Sequence, residues 1–222
     1  MKRIPILLLC ALAPGVRAAD LALAGARYDV PVRSMKALRY ASTLRQQYDF
    51  SCGSAALATL LTHHYGVPVG ESTVFEAMWA HGDQARIRRE GFSLLDMQRY
   101  LASRGYLADG FRLPLDKLVE AGLPAIVLVT EKGYNHFVVI KGAADGRILI
   151  GDPSRGTRAL PRERFEAAWP TRLLFVIHTA PTQPRFNLGH DWRAAPRAPL
   201  GDAVARTAPG AAVLPKLGPG DF

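Results

Sequence analysis

The chain has 222 residues, of which 49% are hydrophobic, and carries 28 basic against 19 acidic residues for a formal charge of +9. That length suits one domain with a sizeable core. The basic residues are scattered and lack an aromatic-interleaved stripe, which argues against a nucleic-acid-reading surface.

The first nineteen residues, "MKRIPILLLCALAPGVRAA", combine Lys2 and Arg3, an apolar run from Ile4 to Ala13 and the small pair Ala18-Ala19. This is the pattern of a cleaved export signal, and the run is too short to span a bilayer. Leu9 precedes Cys10 where a lipoprotein signal would carry Gly or Ala, which argues against a lipid anchor there. Removal of residues 1–19 takes away Lys2, Arg3 and Arg17, lowering the charge to +6, and also Cys10. Cys52 is then alone, no intramolecular disulfide can form, and a single thiol in an oxidising compartment is either a buried small hydrophobe or a reactive group.

Residues 20–44 read as a loop-rich N-terminal extension with one strand candidate at "RYDVPVRSM" (Arg27 to Met35). From residue 45 to 179 the pattern is dense. "SCGSAALATLLTHHYG" predicts a helix with Leu57, Leu60, Leu61 and His64 on one face, stopped by Gly66 and Pro68. "ESTVFEAMWAHG" predicts a second helix. "SLLDMQRYLASRG" predicts a third, with a capping box of Ser93 and Asp96. "LDKLVEAG" predicts a fourth. The run "RIRRE" (Arg86 to Glu90) reads as a solvated charged face. Strands follow at "PAIVLVTE", "HFVVIKG" and "RILIGDP", and, after a short helix at "RERFEAAW", at "RLLFVIHT". Helices early and strands late predict an α+β fold with helices packed on a mostly antiparallel sheet. Residues 180–222 hold seven prolines and little apolar periodicity, so they read as a tail, extended over the domain or disordered, that adds little to its core.

Cys52 falls in the first turn of its helix, with either Asp49 or Ser51 as the N-cap. Free backbone N–H groups and the helix dipole at that point predict a thiol pKa lowered from the ordinary value. A thiol nucleophile also needs a base. His63 and His64 lie roughly 16 Å along the same helix and cannot serve, while His81, His178 and His190 have no evident polar partner. His136 opens a strand whose hairpin partner ends at Asp152. A turn centred on Ala144 would set Lys141 opposite Arg147 and His136 opposite Asp152, with Cβ atoms about 5 Å apart. Gln46 or Gln47, close before the helix, could aim a side-chain N–H at an oxyanion. No HExxH pattern, second mature cysteine or phosphate-binding glycine loop is present, so neither metal nor cofactor is implied.

The blocks "QQYDFSCGSAALATLL", "NHFVVIKG" and "GDPSRG" resemble peptidase family C39, papain-like cysteine peptidases whose best-known members remove double-glycine leaders from bacteriocins and peptide pheromones. The family pattern is a Gln six residues before Cys-Gly, a His opening an apolar strand and an Asp-Pro about sixteen residues later; Gln46, Cys52-Gly53, His136 and Asp152-Pro153 match it. The resemblance implies a papain-like fold in which Cys52 attacks a peptide carbonyl, His136 moves the proton, Asp152 orients His136, and Gln46 with the Cys52 N–H holds the oxyanion. Its substrate would be a protein or peptide. The chain has no transmembrane or nucleotide-binding segment of the kind the transporter-borne members carry. With its export signal it is more similar to the stand-alone periplasmic C39-like proteins of functional amyloid systems, which implies a secretion or amyloid assembly apparatus as partner. The rival readings are a non-catalytic peptide-binding or chaperone module, and a thiol amidase acting on cell-wall peptides.

Overall fold

The structure, a computed structural model, describes residues 18–23, 26–178 and 185–197. It opens with an antiparallel hairpin of β1 (Ala18–Leu23) and β2 (Ala26–Pro31), the latter at the predicted strand. Residues 1–17 of the predicted export signal lie outside the described residues, and Ala18 and Ala19 are the first two of β1.

Ser34 caps α1 (Met35–Arg39) by accepting the Ala37 N–H. The helix of the nucleophile candidate, α2 (Cys52–Thr59), continues as one π-helical stretch through Leu60–His64. It is buried on every side from Ser51 to Leu61, rather than on the single face expected. The cause is its run of small residues, which lets neighbours close in all round. At Gly53 a Cβ would lie 2.8 Å from Met97 Cε and 3.1 Å from Phe92 Cβ, so only glycine fits without displacement. Around it pack α3 (Glu71–His81), α4 (Gln84–Glu90) and α5 (Leu94–Ser103), the last begun by the reciprocal Ser93–Asp96 capping box. The charged run at 86–90 is the exposed part of α4, which buries only Ile87.

Six antiparallel strands follow: β3 (Ala108–Arg112), β4 (Ala125–Glu131), β5 (Tyr134–Ala144), β6 (Arg147–Asp152), β7 (Gly156–Pro161) and β8 (Leu173–Ile177). Their spatial order is β3-β8-β4-β5-β6-β7. Both faces of the sheet are covered. Phe137, Val139 and Phe175 face α2 and α5, whereas Val138, Ile140 and Ile150 meet α6 (Leu115–Ala121) and Phe165 and Trp169 at α7 (Arg162–Ala168). Alternate residues of one strand thus serve two cores, which is why these strands read as continuous apolar runs. At the β7 edge, Gly156 adopts φ +77° directly against the Arg39 backbone, a position a Cβ would fill.

The β5–β6 register differs from the one expected. Ala144 pairs with Arg147 across an Asp145-Gly146 turn in which both residues have positive φ, and a bulge at Lys141 brings Val139 opposite Gly151. His136 is therefore not directly opposite Asp152.

Beyond the sheet, residues 185–197 form α8 (Gly189–Trp192) with flanking turns and bury Phe186, Asp191 and Ala194. The expectation that the chain beyond residue 180 adds little to the core does not hold for this part. Asp191 lies 3.6 Å from the fully buried Lys141 ammonium, and it accepts from Ser42 Oγ at 2.5 Å. A few buried side chains in a Pro-rich segment pack it against the domain, and composition does not reveal that.

Candidate active site

Cys52 is the first residue of α2, after Ser51, so its sulfur sits where the first backbone N–H groups have no helical partner. The N–H of Phe137 donates to Sγ at 3.5 Å, and the amides of Gly53 and Cys52 itself are also aimed at the sulfur. These three dipoles favour a negative sulfur. Burial works against them and wins: with the residue only 6% exposed, desolvation pushes the Cys52 thiol above its ordinary value, and the Asp152 carboxylate adds to the rise. The expected lowering is thus corrected. The helix start is present, but the surrounding core leaves the sulfur too little exposed for water to stabilise a free thiolate fully.

His136 is the third residue of β5 and is buried. Its Nε2 lies 3.3 Å from Asp152 Oδ2, and Tyr134, two residues earlier, stacks on the imidazole with 5.8 Å between ring centroids. The Tyr134 hydroxyl donates to the Asp49 carbonyl, tying this cover to the loop before α2. The other ring nitrogen, Nδ1, is buried without a hydrogen-bond partner. His136 adjoins Phe137, whose amide touches the sulfur, so the free nitrogen belongs to the residue beside the thiol.

Asp152 ends β6, fully buried. Its Oδ1 accepts from the Ser154 amide at 2.9 Å and the Ser154 hydroxyl at 2.7 Å, and its Oδ2 accepts from Arg158 Nε at 3.0 Å besides facing His136. Burial raises its proton affinity. The hydrogen bonds from His136 and Ser154 and the Arg158 charge outweigh that and hold the carboxyl well below the usual carboxylate range.

Of the four residues read from the sequence, Cys52, His136 and Asp152 converge on one end of the sheet. Gln46 is brought beside them through its backbone N–H, which donates to the Pro153 carbonyl at 3.1 Å. Its side-chain Nε2 is turned into its own loop, donating to the Tyr48 carbonyl at 2.9 Å and more weakly to that of Asp49 at 3.4 Å. Gln47 is exposed. Three contributors escaped the sequence reading: Tyr134, Ser154 and Arg158. Ser154 could have been found, because a serine two residues after an aspartate is the signature of a local side-chain turn. Arg158 lies on β7, a strand no pattern announced. His178, read as unpartnered, pairs with Asp109 at 2.8 Å on the far edge of the sheet, with no thiol in reach.

A cleft of about 460 Å³ opens at Cys52 between the Glu90–Leu95 segment and the sheet. Phe92, Leu95, Leu128, Phe137 and Leu173 give it apolar walls, and Arg86 and Glu90 stand at its border. Extended peptide can therefore reach the sulfur from one side.

Comparison with known proteins agrees with this geometry. A model of the Peptidase C39 family matches residues 40–181. A Pseudomonas fluorescens protein described as the probable functional amyloid protease FapD is 40% identical over 173 residues, covering 76% of each chain. Its Pseudomonas aeruginosa counterpart is 41% identical over 146 residues, covering 66% of this chain and 65% of its own. Among solved structures, a double glycine motif protease from an AMS/PCAT transporter, in complex with the leader peptide, superposes with a TM-score of 0.50 at 26% identity, over 61% of this chain and 89% of that one. The peptidase domain of Streptococcus ComA shares the fold, with a TM-score of 0.52 at 24% identity over 64% and 98% of the two chains. A buried thiol at a helix start, a histidine with one nitrogen on an aspartate, and a family match over most of the described chain make this protein a cysteine peptidase belonging to the peptidase C39 family.

Proposed function

We propose that this peptidase is exported to the periplasm, where it cleaves a peptide bond in a secreted protein or peptide, with Cys52, His136, Asp152 and Gln46 as its catalytic residues. The observation that carries the site assignment is the convergence of Cys52 at its helix start, touched by the Phe137 amide, with the adjoining His136, whose Nε2 faces the buried Asp152 carboxylate.

The steps follow from the groups. Cys52 Sγ bonds to the scissile carbonyl carbon while its proton passes to His136 Nδ1, and the carbonyl electron pair moves onto oxygen. Asp152, already ionised, steadies the imidazolium through Nε2. The oxyanion takes the open-ended Cys52 amide and one N–H of Gln46, whose 3.4 Å contact to Asp49 is the weaker of its two and the one a charged acceptor displaces. Collapse breaks the C–N bond, and the leaving amine takes the proton from His136. Water, deprotonated by His136, then hydrolyses the thioester and restores the thiol.

The relatives described as probable functional amyloid proteases support a reading in which the substrate is a component of an amyloid secretion or assembly system. Among the described residues no helix is long and apolar enough to cross a membrane. The test is replacement of the native gene by Cys52→Ala, with the processing of co-secreted proteins followed by mass spectrometry. Loss of one processed terminus, with the folded variant still exported and beginning at Asp20, is the expected result. Normal processing by folded Cys52→Ala protein would overturn the assignment and leave a peptide-binding module.

A further inference from the structure

Arg158 stands out because it shares an atom with the catalytic pair. On β7, with its side chain 17% exposed, it donates Nε–H to Asp152 Oδ2 at 3.0 Å and holds Nη2 in ion-pair contact with the same oxygen at 2.9 Å. That oxygen is also the one facing His136 Nε2. Nη2 reaches Glu131 Oε1 at the end of β4 at 2.5 Å, and Arg155 holds the other Glu131 oxygen at 2.6 Å. We infer that Arg158 is a positioning residue of the reaction: its fork fixes Asp152 Oδ2 in line with His136, and its charge, balanced by Glu131, sets how strongly the carboxylate holds a protonated imidazole. The inference rests on the site assignment above.

The physical case has two parts. Ser154 restrains only Oδ1, and rotation about the carboxylate torsion is soft, so without the fork Oδ2 is kept in line by the imidazole alone and the looser pair lowers the maximal rate. A guanidinium about 3 Å from Oδ2 also offsets part of the field that the carboxylate exerts on the imidazolium. Glu131 cancels part of that guanidinium charge in turn. The charged and titratable groups facing the pair are Cys52 from α2, Tyr134 from β5, Glu131 from β4, Arg155 from the β6–β7 turn and Arg158 from β7. Only the last three lie on the Asp152 side, so substitutions there leave the thiol and the stacked tyrosine in place.

These relations predict opposite responses. The test treats the full-length protein with a peptidyl-glycyl chloromethyl ketone and follows the second-order rate of inactivation against pH. Arg158→Gln frees the carboxylate to hold the imidazolium more tightly, so the acid limb moves up by about one pH unit. Glu131→Gln leaves Arg158 uncompensated, and the limb moves down by a smaller amount. Arg158→Lys keeps the charge and returns the limb to its wild-type position, while the maximal rate stays depressed because one ammonium cannot make the fork. A merely structural arginine would alter the melt and the maximal rate but would not shift the limb in opposite senses. An unmoved limb in Arg158→Gln protein that melts like wild type, or shifts of the same sign in both glutamine variants, would overturn the inference. Where Arg158→Gln does not fold, Glu131→Gln decides alone: a downward shift supports it and no shift sinks it. Labelling that persists unchanged in Cys52→Ala protein would instead show that the site assignment itself is wrong.

Discussion

His136 and Lys141 stand five residues apart on β5, each about 4% exposed or less, and each is paired with a buried carboxylate from another element. The two clusters differ in what they leave open. Lys141 Nζ donates to the Ser42 carbonyl, the Ser42 hydroxyl and the Thr157 hydroxyl at 2.6–3.0 Å, using all three N–H groups, and lies over the Phe186 ring. His136 has Asp152 on one nitrogen and nothing on the other. A closed cluster can only hold parts together, whereas one with a missing partner is prepared to exchange a proton. The same strand therefore carries a fastening and a reactive group, and what tells them apart is that the open nitrogen of the histidine adjoins the residue whose amide touches the Cys52 sulfur.

The sharpest way to break this contrast is to remove each centre and read both activity and stability. His136→Ala should lower peptidase activity by about 10⁴-fold or more, no further than Cys52→Ala does, since nucleophile and base act as one unit. Its thermal melt should stay close to wild type. Asp191→Ala should do the reverse. It strands a buried ammonium that burial already lowers to about 8 against the opposing pull of Asp191, and a broken buried pair costs about 3–5 kcal/mol. Activity per folded molecule should persist. If His136→Ala unfolds the protein, or Asp191→Ala melts like wild type, the two clusters are not divided as described.

A smaller effect sharpens the same point. Replacing both charges together, Lys141→Met with Asp191→Leu, should recover most of what Asp191→Ala loses, to within about 1–2 kcal/mol of wild type, because apolar groups of similar volume often replace a buried pair without loss. Denaturant midpoints of the single and double variants measure this. A double variant no better than Asp191→Ala would show that Ser42 and Thr157, left without their donor, dominate the network instead.

Much of this arrangement was legible in the residues. Local rules with a chemical cause held: Ser93 and Asp96 form their capping box, Gly122 ends α6 in the left-handed conformation, and Cys52 begins its helix. What was lost depended on contacts distant in sequence. A turn centred on Ala144 misses the two-residue turn Asp145-Gly146, and the bulge at Lys141 is invisible to any alternation pattern. The resulting register was wrong, yet His136 and Asp152 still meet, because diagonal neighbours on one face remain within reach of long side chains. The strand β7 and α8 carry little apolar periodicity, so Arg158 and Asp191, which complete the two clusters, could not be placed.

The smallest effect concerns the resting state of the thiol, where the helix start and the packing make opposite demands. Three amides and the start of α2 favour a thiolate, while burial in the core disfavours it and prevails. A raised thiol pKa predicts that Cys52 keeps its proton at neutral pH, with transfer to His136 accompanying attack instead of preceding it. The ultraviolet absorbance of a thiolate, taken as the difference between wild type and Cys52→Ser and titrated in the absence of substrate, reads this directly. A free thiol ionises near pH 8.5, so the absorbance step should fall on the alkaline side of that value. A step near pH 6 or below would mean that the imidazolium of His136 holds the thiolate as a preformed ion pair. His136 would then share the closed character of Lys141, its free nitrogen already occupied before substrate arrives, and the contrast between the two ends of β5 would no longer describe the resting enzyme.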